Sequence, residues 1–347
     1  MRAMVLREFG DPDVLRLEEI ETPKLEAGEV LVRVHHVSVN VTLDILLRKG
    51  MYPRTPPFPH VLGCDPTGEV VAVGSEVDQP AVGERVFVHT SLRSAECPPG
   101  REAADPGPDQ MIGVHRWGGY AEYVAVPAEN AFVLPPTLPY PDATVVMRHL
   151  PTARHLLHCR AALTAGEWVL VMGAAGGLAS CCIQVAKQMQ AQVIGAAGSD
   201  ERVDIGRRFG ADYGINYRRQ NLADEVRRIT GGAGVQVVAE NIGDPDLWPA
   251  AINCLGKHGR LVTAGAHAGG NVPLDLRTVY LNRITIIGDP GCDFPDIEWA
   301  LEAARDGAIQ TPLIDRTMPL DQAVEAHRLV ERRALSGKIL LDPTAWA

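Results

Sequence analysis

One glycine-rich stretch decides the fold, because it joins the pattern of a buried strand directly to the pattern of a helix. Residues 166–189 read GEWVLVMGAAGGLASCCIQVAKQM. The segment WVLVM is continuously apolar and rich in β-branched residues, as strands buried on both faces of a parallel sheet are. The glycines that follow permit a tight turn, and the remainder is typical of a helix. We predict a strand, a tight turn and a helix in this order.

The alternation of strands and helices continues beyond this stretch. Apolar runs typical of buried strands are separated by amphipathic helical patterns, which predicts a parallel sheet covered by helices on both faces. The predicted strands are QVIGAAG (192–198), VQVVAENI (235–242) and GRLVTAGA (259–266), and the predicted helices are DERVDIGRRFG (200–210) and NLADEVRRIT (221–230). The fold class is therefore α/β, with a doubly wound parallel sheet.

The two ends of the chain have a different pattern. Residues 1 to 135 contain many short strands punctuated by Gly and Pro, and two amphipathic helices and the strand KILLD follow Pro290 without continuing the alternation. We assign both ends, 1–138 and 292–347, to one mostly β domain, and 139–291 to a second domain inserted between them. Residues 91–110 are rich in Gly and Pro and are predicted to form a loop.

Charge and cysteine content exclude several classes of protein. The 33 basic and 43 acidic residues give a net charge of −10, so we expect no nucleic-acid partner. The uncharged run 168–186 is interrupted by the glycine turn, so we expect no membrane span. No signal peptide is visible and the seven cysteines contain no CxxC pair, which favours a cytoplasmic protein with reduced thiols.

The turn after the first predicted strand has the composition of a dinucleotide-binding site. Its glycines let the backbone approach a diphosphate, and the N-terminus of the next helix offers free N–H groups and a positive dipole. The small Ala179 permits close packing of helix and strand. The predicted cofactor-binding residues here are Gly173, Ala174, Ala175, Gly176, Gly177 and Leu178. The alternative is a turn whose glycines serve packing alone.

The end of the next predicted strand bears on which dinucleotide binds. It reads Ala-Ala-Gly (196–198) and has no carboxylate for a ribose 2′-hydroxyl. Ser199 and Arg202 follow, a hydroxyl and a guanidinium suited to a 2′-phosphate, so we predict NADPH. Alternatively, Ser199 is only a helix cap and Arg202 is a solvated residue. In that case Asp200 could supply the carboxylate for the ribose, and NAD(H) would be the cofactor.

Further motifs follow one another in a recognisable order. They are LGCDPTGEVVAVG (62–74), GGYAEYVAVPAENAFVLP (118–135), RFGADYGINY (208–217), CLGKHGRLVTAGA (254–266) and GKILL (337–341). With these the chain resembles, over essentially its whole length, the medium-chain dehydrogenase/reductase superfamily in its quinone-oxidoreductase and zinc-alcohol-dehydrogenase-like branch. The resemblance implies a mostly β, GroES-like catalytic domain built from both chain ends, with a Rossmann domain inserted.

The resemblance also implies further cofactor contacts. In NADP-preferring relatives a serine, a basic residue and a tyrosine contact the 2′-phosphate, and Ser199, Arg202 and Tyr217 stand at similar places. The remaining predicted cofactor-binding residues are Asn241, Ala264 and Gly265.

The family's zinc positions are mostly replaced in this chain. Zinc-dependent members have a Cys three residues before an Asp, a His in a Gly-His-Glu triplet, and a later Cys or Asp. The corresponding residues here are Val41 (or Asn40, with a one-residue slip), Cys64 and Arg148. A single thiol beside an arginine is a poor ligand set for zinc, and of the family's second, four-cysteine site only Cys97 remains. We therefore expect no metal.

Without zinc, hydrogen bonding and charge must polarise the substrate oxygen. The resemblance places Tyr52 where enoyl-thioester reductases have a catalytic tyrosine. In other relatives a tyrosine at this position only lines the cleft and has no catalytic role. The predicted catalytic residues are Tyr52, Asn40 and Arg148, with Cys64, Asp65 and His149 lining the cleft. The alternative for Arg148 is a salt bridge with Asp44 or Asp65.

Together these features predict a metal-independent, NADPH-dependent reductase of a small quinone or α,β-unsaturated carbonyl substrate. One alternative is an alcohol dehydrogenase or carbonyl reductase of the zinc type. Another is a non-catalytic NADPH-binding protein. The apolar segment RITIIG (283–288) resembles the edge at which family dimers join their sheets, so we expect a homodimer or a dimer of dimers.

Overall fold

The computed structural model describes residues 1–92, 111–332 and 335–346, so most of the predicted loop 91–110, including Cys97, lies outside the described residues. Contacts divide the chain into two units, Met1–Arg148 with Leu301–Ala347, and His149–Ala300. This division falls after residues 148 and 300, whereas the domain boundaries predicted from the sequence fall after residues 138 and 291 and remain a prediction.

Short strands with buried valines make up most of the N-terminal part. In order they are β1 (Arg2–Leu6), β2 (Leu15–Glu19), β3 (Glu29–Ser38), β4 (His60–Val61), β5 (Thr67–Val73), β6 (Arg85–Val88), β7 (Tyr123–Pro127) and β8 (Ala131–Val133), followed by α1 (Tyr140–Arg154). Short 3-10 turns lie at Pro12–Val14 and Ala128–Asn130, and a π-helical turn at Val41–Leu46. In β3, Val30, Val32 and Val34 are buried while Arg33 is exposed, as the two-residue period of a strand requires.

The second unit alternates strands and helices. After a π-helical segment, His155–Arg160, its elements are β9 (Trp168–Met172), α2 (Gly177–Gln188), β10 (Gln192–Ala197), α3 (Asp200–Arg208), β11 (Tyr213–Asn216), α4 (Leu222–Ile229), β12 (Val235–Ala239), α5 (Leu247–Asn253), β13 (Leu255–Thr263), α6 (Leu276–Asn282), β14 (Thr285–Gly288) and α7 (Phe294–Arg305). The parallel sheet has the order β11-β10-β9-β12-β13-β14. This order reverses between β9 and β12, and such switch points bind ligands at the carboxyl ends of the strands.

The C-terminal segment returns to the sheet of the first unit. It consists of β15 (Ile314–Pro319), a 3-10 turn at Leu320–Gln322, α8 (Ala323–Glu331) and β16 (Lys338–Asp342). β16 pairs with β3, which gives a seven-stranded sheet with the path β15-β16-β3-β5-β6-β8 and with β7 on β3. A smaller sheet has the order β2-β1-β4. Within the described ranges, no helix combines the length and apolar character that crossing a bilayer requires.

Candidate active site

The glycine turn, residues 173–177, connects β9 to α2. Gly173 has a φ of 71°, a conformation that favours glycine, and the Gly176 N–H donates to the Gly173 carbonyl at 2.8 Å. A Cβ on Gly206 of α3 would come within 2.8 Å of the Ala174 methyl group, so these elements pack closely. Because the first N–H groups of a helix have no acceptor within it, the start of α2 can bind an anion.

Hydroxyl and basic side chains gather where β10 ends. Ser199 caps α3, because its Oγ accepts a hydrogen bond from the Arg202 N–H at 3.3 Å. A Cβ on Gly198 would lie 3.1 Å from Tyr217 Oη and 3.3 Å from Arg218 Nε, so both side chains reach this strand end. Burial raises the pKa of Tyr217, and the positive charges of Arg218 and Arg202 oppose that shift. The structure thus brings Ser199, Arg202, Tyr217 and Arg218 together.

Sequence reasoning missed one member of this group, Arg218. The signal was the basic pair Arg218-Arg219 directly after Tyr217. Asp200, the carboxylate that kept NAD(H) open, already accepts hydrogen bonds from Asn216 Nδ2 at 2.6 Å and from Arg219. A ribose hydroxyl would have to compete for that carboxylate.

The predicted residues after β12 and β13 adjoin one another. Asn241 Oδ1 accepts a hydrogen bond from the Ala264 N–H at 2.7 Å, and a Cβ on Gly265 would lie 3.7 Å from the Asn241 carbonyl oxygen. Asn241 Nδ2 is buried and has no hydrogen-bond partner in the described part of the chain. A buried donor of this kind usually has a partner, so this edge of the sheet, with its glycine turn, fits a polar ligand such as a nicotinamide dinucleotide.

A buried polar cluster lies in the first unit. This Asp44 cluster consists of Asn40, Asp44, Cys64, Asp65 and Lys338. Asn40 Nδ2 donates to Asp65 Oδ2 at 3.1 Å and to Cys64 Sγ at 3.4 Å, and Asn40 Oδ1 accepts from Lys338 Nζ at 2.7 Å. Asp44 accepts only backbone hydrogen bonds among the described residues, from the N–H groups of Asn40 and Gly63. Asn40 therefore links a lysine to a buried carboxylate, and its contact with substrate stays a prediction.

Two of the predicted catalytic residues lie beside this cluster. Arg148 Nε is 3.8 Å from Asp65 Oδ2, and the Arg148 side chain is 24% exposed. Burial raises the pKa of Cys64 well above its usual value, against the charge of Arg148, so this thiol is neutral. Burial also raises the pKa of the half-buried Tyr52, whose hydroxyl interacts electrostatically with Cys64 and Arg148. The positive charges of Arg54 and Arg148 thus both act on the Tyr52 phenol and oppose the effect of burial on its pKa.

The residues at the family's zinc positions do not fit a zinc ion. Val41 has no donor atom, Cys64 is a protonated thiol, and Arg148 brings a positive charge. In the described ranges, one group of three possible metal ligands exists elsewhere, His155, Cys159 and Asp296, with ligand atoms within 4.8 Å of one another. There Asp296 already accepts hydrogen bonds from His155 Nδ1, at 2.8 Å, and from Arg154.

Comparisons with known proteins agree with this architecture. The family model "Alcohol dehydrogenase GroES-like domain" matches residues 26–136, and "Zinc-binding dehydrogenase" matches residues 177–306. The quinone oxidoreductase of Homo sapiens is 28% identical, over 98% of this chain and 97% of the human protein.

Solved structures give the same result. A crystal structure of an NAD-dependent alcohol dehydrogenase has a TM-score of 0.93 and 33% identity, with 99% of both chains covered. The Escherichia coli quinone oxidoreductase complexed with NADPH has a TM-score of 0.84 and 25% identity, over 99% of this chain and 100% of that one. The predicted family and fold class are confirmed: a GroES-like domain and a Rossmann-type parallel sheet. The chain belongs to the medium-chain dehydrogenase/reductase superfamily of NAD(P)-dependent oxidoreductases.

Proposed function

We propose that this oxidoreductase uses NADPH to reduce a quinone or an α,β-unsaturated carbonyl compound without a metal. The observation that carries the proposal is the neighbourhood of Arg148, Cys64 and Tyr52. Where zinc-dependent relatives have metal ligands, this chain has an arginine and a neutral thiol. A cation and a phenol suit an oxygen that becomes negative during reduction.

The chemistry follows from these groups. A reduced nicotinamide dinucleotide, held by the glycine turn and by Asn241, would supply the hydride and become the oxidised dinucleotide. Addition of that hydride to the β carbon of an enone would move the C=C electron pair so that negative charge collects on the carbonyl oxygen, and water would then protonate the α carbon. Arg148 stabilises the charge on that oxygen and Tyr52 donates a hydrogen bond to it. Alcohol oxidation instead requires loss of the hydroxyl proton, which zinc assists and which these side chains do not.

Turnover assays test the acceptor class. We expect NADPH oxidation with an enone or a quinone to exceed alcohol oxidation in kcat/KM. Arg148→Ala and Tyr52→Phe should each lower kcat for an enone by about 10²-fold or more, the cost of removing a donor from developing charge, with the Kd for NADPH unchanged. Arg207→Ala, which changes an exposed arginine of α3, is the matched control and should leave kcat for the enone unchanged. Primary alcohols as the best substrates, or full activity in both variants, would overturn the proposal.

The preference for NADPH rests on the group at the end of β10. Ser199, Arg202, Tyr217 and Arg218 can bind a 2′-phosphate, while Asp200 is engaged by Asn216 and Arg219. Fluorescence titration should give a lower Kd for NADPH than for NADH. Arg202→Ala and Arg218→Ala should each weaken NADPH by about 1.5–3 kcal/mol, as expected for a charge-assisted bond, and leave NADH unchanged. Equal or tighter NADH binding by the unmodified protein argues against the preference.

A zinc-type alcohol dehydrogenase is the second candidate, favoured by the 33% identity to a structure named NAD-dependent alcohol dehydrogenase. Elemental analysis of the purified protein separates the two. One zinc per chain, together with loss of activity on chelation, would favour the second candidate over the first.

We also propose a homodimer joined through β14, which lies at the edge of the parallel sheet. Nearby apolar side chains are strongly exposed: Leu276 by 67%, Tyr280 by 64% and Leu281 by 65%. An exposed strand edge with apolar neighbours is typical of a surface that pairs with a second chain. Ile286→Lys in β14 should shift the protein to a smaller species in size-exclusion chromatography with light scattering, and an unchanged mass would exclude this edge.

A further inference from the structure

A lysine near the end of the chain, Lys338, donates hydrogen bonds into the Asp44 cluster. Its Nζ lies 2.7 Å from Asn40 Oδ1 and 3.4 Å from the Val39 carbonyl oxygen. Lys338 is the first residue of β16, and β16 pairs with the last residues of β3, directly before Asn40. The sheet therefore holds the ammonium group beside the amide of Asn40.

The amide of Asn40 connects this lysine to Asp65. Its Oδ1 accepts the hydrogen bond from Lys338, and its Nδ2 donates to Asp65 Oδ2 at 3.1 Å. An amide has one accepting end and one donating end, so a cation on the oxygen fixes which end faces the carboxylate. Burial lowers the pKa of Lys338, and among the charged groups Asp65 opposes this effect most strongly. Lys338 and Asp65 thus form an ion pair that Asn40 bridges.

Arg148 is a second cation near Asp65, and it is bound to this carboxylate less closely. Its Nε lies 3.8 Å from Asp65 Oδ2, beyond hydrogen-bond distance, and its side chain is 24% exposed. Asp65 also accepts hydrogen bonds from the backbone N–H and the hydroxyl of Ser38. A buried carboxylate requires hydrogen bonds and a compensating cation. Ser38, Asn40 and Lys338 supply both.

We propose that Lys338 is a positioning residue, which acts through Asn40 as the counter-ion of Asp65, so that Arg148 is not needed in that role and acts on the substrate oxygen. Without the ammonium group, the buried carboxylate would draw the guanidinium into a direct, charge-assisted hydrogen bond. An arginine held in this way stabilises a developing negative charge less well, because its own charge is compensated. The effect on turnover rests on the proposed function, whereas the bridged ion pair does not.

A double-mutant cycle in stability tests the ion pair without any turnover. Lys338→Met removes the charge and keeps an unbranched side chain. In that background, Arg148→Ala should raise the unfolding equilibrium constant about tenfold more than it does in the unmodified protein, because Asp65 then relies on the guanidinium. Urea denaturation measures both effects, and Lys338→Gln replaces Lys338→Met if the latter does not fold. Additive effects of the two changes would show that Lys338 and Arg148 do not share Asp65, and the proposal would be wrong.

Turnover distinguishes a positioning role from a structural one. Lys338→Met should lower kcat for an enone by about tenfold, less than the about 10²-fold loss expected for Arg148→Ala. Lys338→Arg, which keeps the charge, should recover most of the loss. In the Arg148→Ala background, Lys338→Met should lower kcat no further, because the group that it positions is gone. Lys24→Met, which breaks only the exposed ion pair with Glu21, is the control and should leave kcat unchanged.

The possible outcomes separate this inference from the proposed function. A full kcat in Lys338→Met, or the same loss in both backgrounds, would overturn the positioning role. A raised Kd for NADPH with an unchanged kcat would also overturn it, since Lys338 would then act on the cofactor. If the unmodified protein reduces no enone or quinone, the proposed function fails, and the stability cycle alone decides whether Lys338 is the counter-ion of Asp65.

Discussion

Two buried clusters, one in each unit, each contain two aspartates, and they differ in whether cations bond directly to those carboxylates. In the second unit the His155 cluster consists of Arg154, His155, Arg160, Asp289 and Asp296. His155 lies between two carboxylates, with Nδ1 2.8 Å from Asp296 Oδ2 and Nε2 3.3 Å from Asp289 Oδ2. Burial alone would lower the pKa of His155, but the hydrogen bonds to both aspartates raise it to about 10. Each carboxylate there has a cationic partner, so the charges are fixed at neutral pH.

The Asp44 cluster lacks this matching. Burial, reinforced by the charge of Asp65, raises the pKa of Asp44 to about 7, although two backbone N–H groups bond to it. Burial lowers the pKa of Lys338, against the charge of Asp65. In the His155 cluster, cations bond directly to the carboxylates and the cluster stabilises the fold. In the Asp44 cluster, no cation among the described residues bonds to Asp44, and this carboxyl group changes its charge near neutral pH. Perturbed groups of the second kind are typical of functional sites.

The largest expected effect comes from breaking the matched cluster. His155→Leu should lower the free energy of unfolding at pH 7 by about 3–5 kcal/mol, because it removes the cation that two buried carboxylates share. Urea denaturation measures this. Arg207→Ala, which breaks only the exposed pair with Asp204, should cost less than about 1 kcal/mol.

The pH dependence of the stability difference between the unmodified protein and His155→Leu supplies a second test. The folded pKa of His155 is raised above the ordinary 6.5, so its contribution is complete below about pH 6.5 and is lost as the pH rises through about 10. The gap between the unmodified protein and His155→Leu should therefore narrow from pH 7 to pH 10. A constant gap would show that His155 is not held as a cation.

The unmatched cluster should also lose stability as the pH rises, but in a lower pH window. The folded pKa of Asp44 is raised from 3.8 to about 7, so its contribution to stability is complete below about pH 4 and is lost as the pH rises through 7. Between pH 5 and pH 7 the unmodified protein should lose about 2 kcal/mol relative to Asp44→Asn, which carries no charge. If the free energies of unfolding of the two proteins change in parallel between pH 5 and pH 7, Asp44 does not change its charge in this window and the proposed difference between the clusters is wrong.

The sequence predicted the second unit better than either cluster, and the reason is contact range. The strand, turn and helix of 166–189 interact locally, so their residue pattern was enough to predict them. Asn40 and Lys338 are bonded across 298 residues, and His155 and Asp289 across 134. Local patterns carry no information about such pairs. Lys338 and the His155 cluster were therefore missed, while Arg148 and Cys64 were found only through the family resemblance.

Folding also changed what a predicted residue can do. Asn40 was predicted as a donor to substrate, but its amide bonds to Asp65, Cys64 and Lys338. Ser199 was predicted for the 2′-phosphate, and its Oγ also accepts the capping N–H of Arg202. The sequence shows that these side chains can form hydrogen bonds. Only the folded structure shows that other residues of the protein already occupy some of those hydrogen-bonding positions.

The smallest expected effect on stability comes from Arg148, and it sharpens the comparison most. Asp65 already accepts hydrogen bonds from the backbone N–H and hydroxyl of Ser38 and from Asn40 Nδ2, whereas Arg148 Nε lies 3.8 Å away, beyond hydrogen-bond distance. Arg148→Ala should therefore lower the free energy of unfolding less than a change that removes a direct hydrogen bond to a buried carboxylate.

Arg154→Ala is the matched change in the other cluster, because that guanidinium bonds directly to the buried Asp296. It should cost about 3 kcal/mol, the loss expected when a buried carboxylate is deprived of its partner. Urea denaturation of both variants, together with kcat for an enone, measures the contrast. Arg148→Ala should lose turnover and keep most of its stability, because we propose that Arg148 stabilises the reacting oxygen and because Asp65 keeps its hydrogen bonds from Ser38 and Asn40. Equal destabilisation by the two variants would make Arg148 a structural partner of Asp65 and remove the distinction between the clusters.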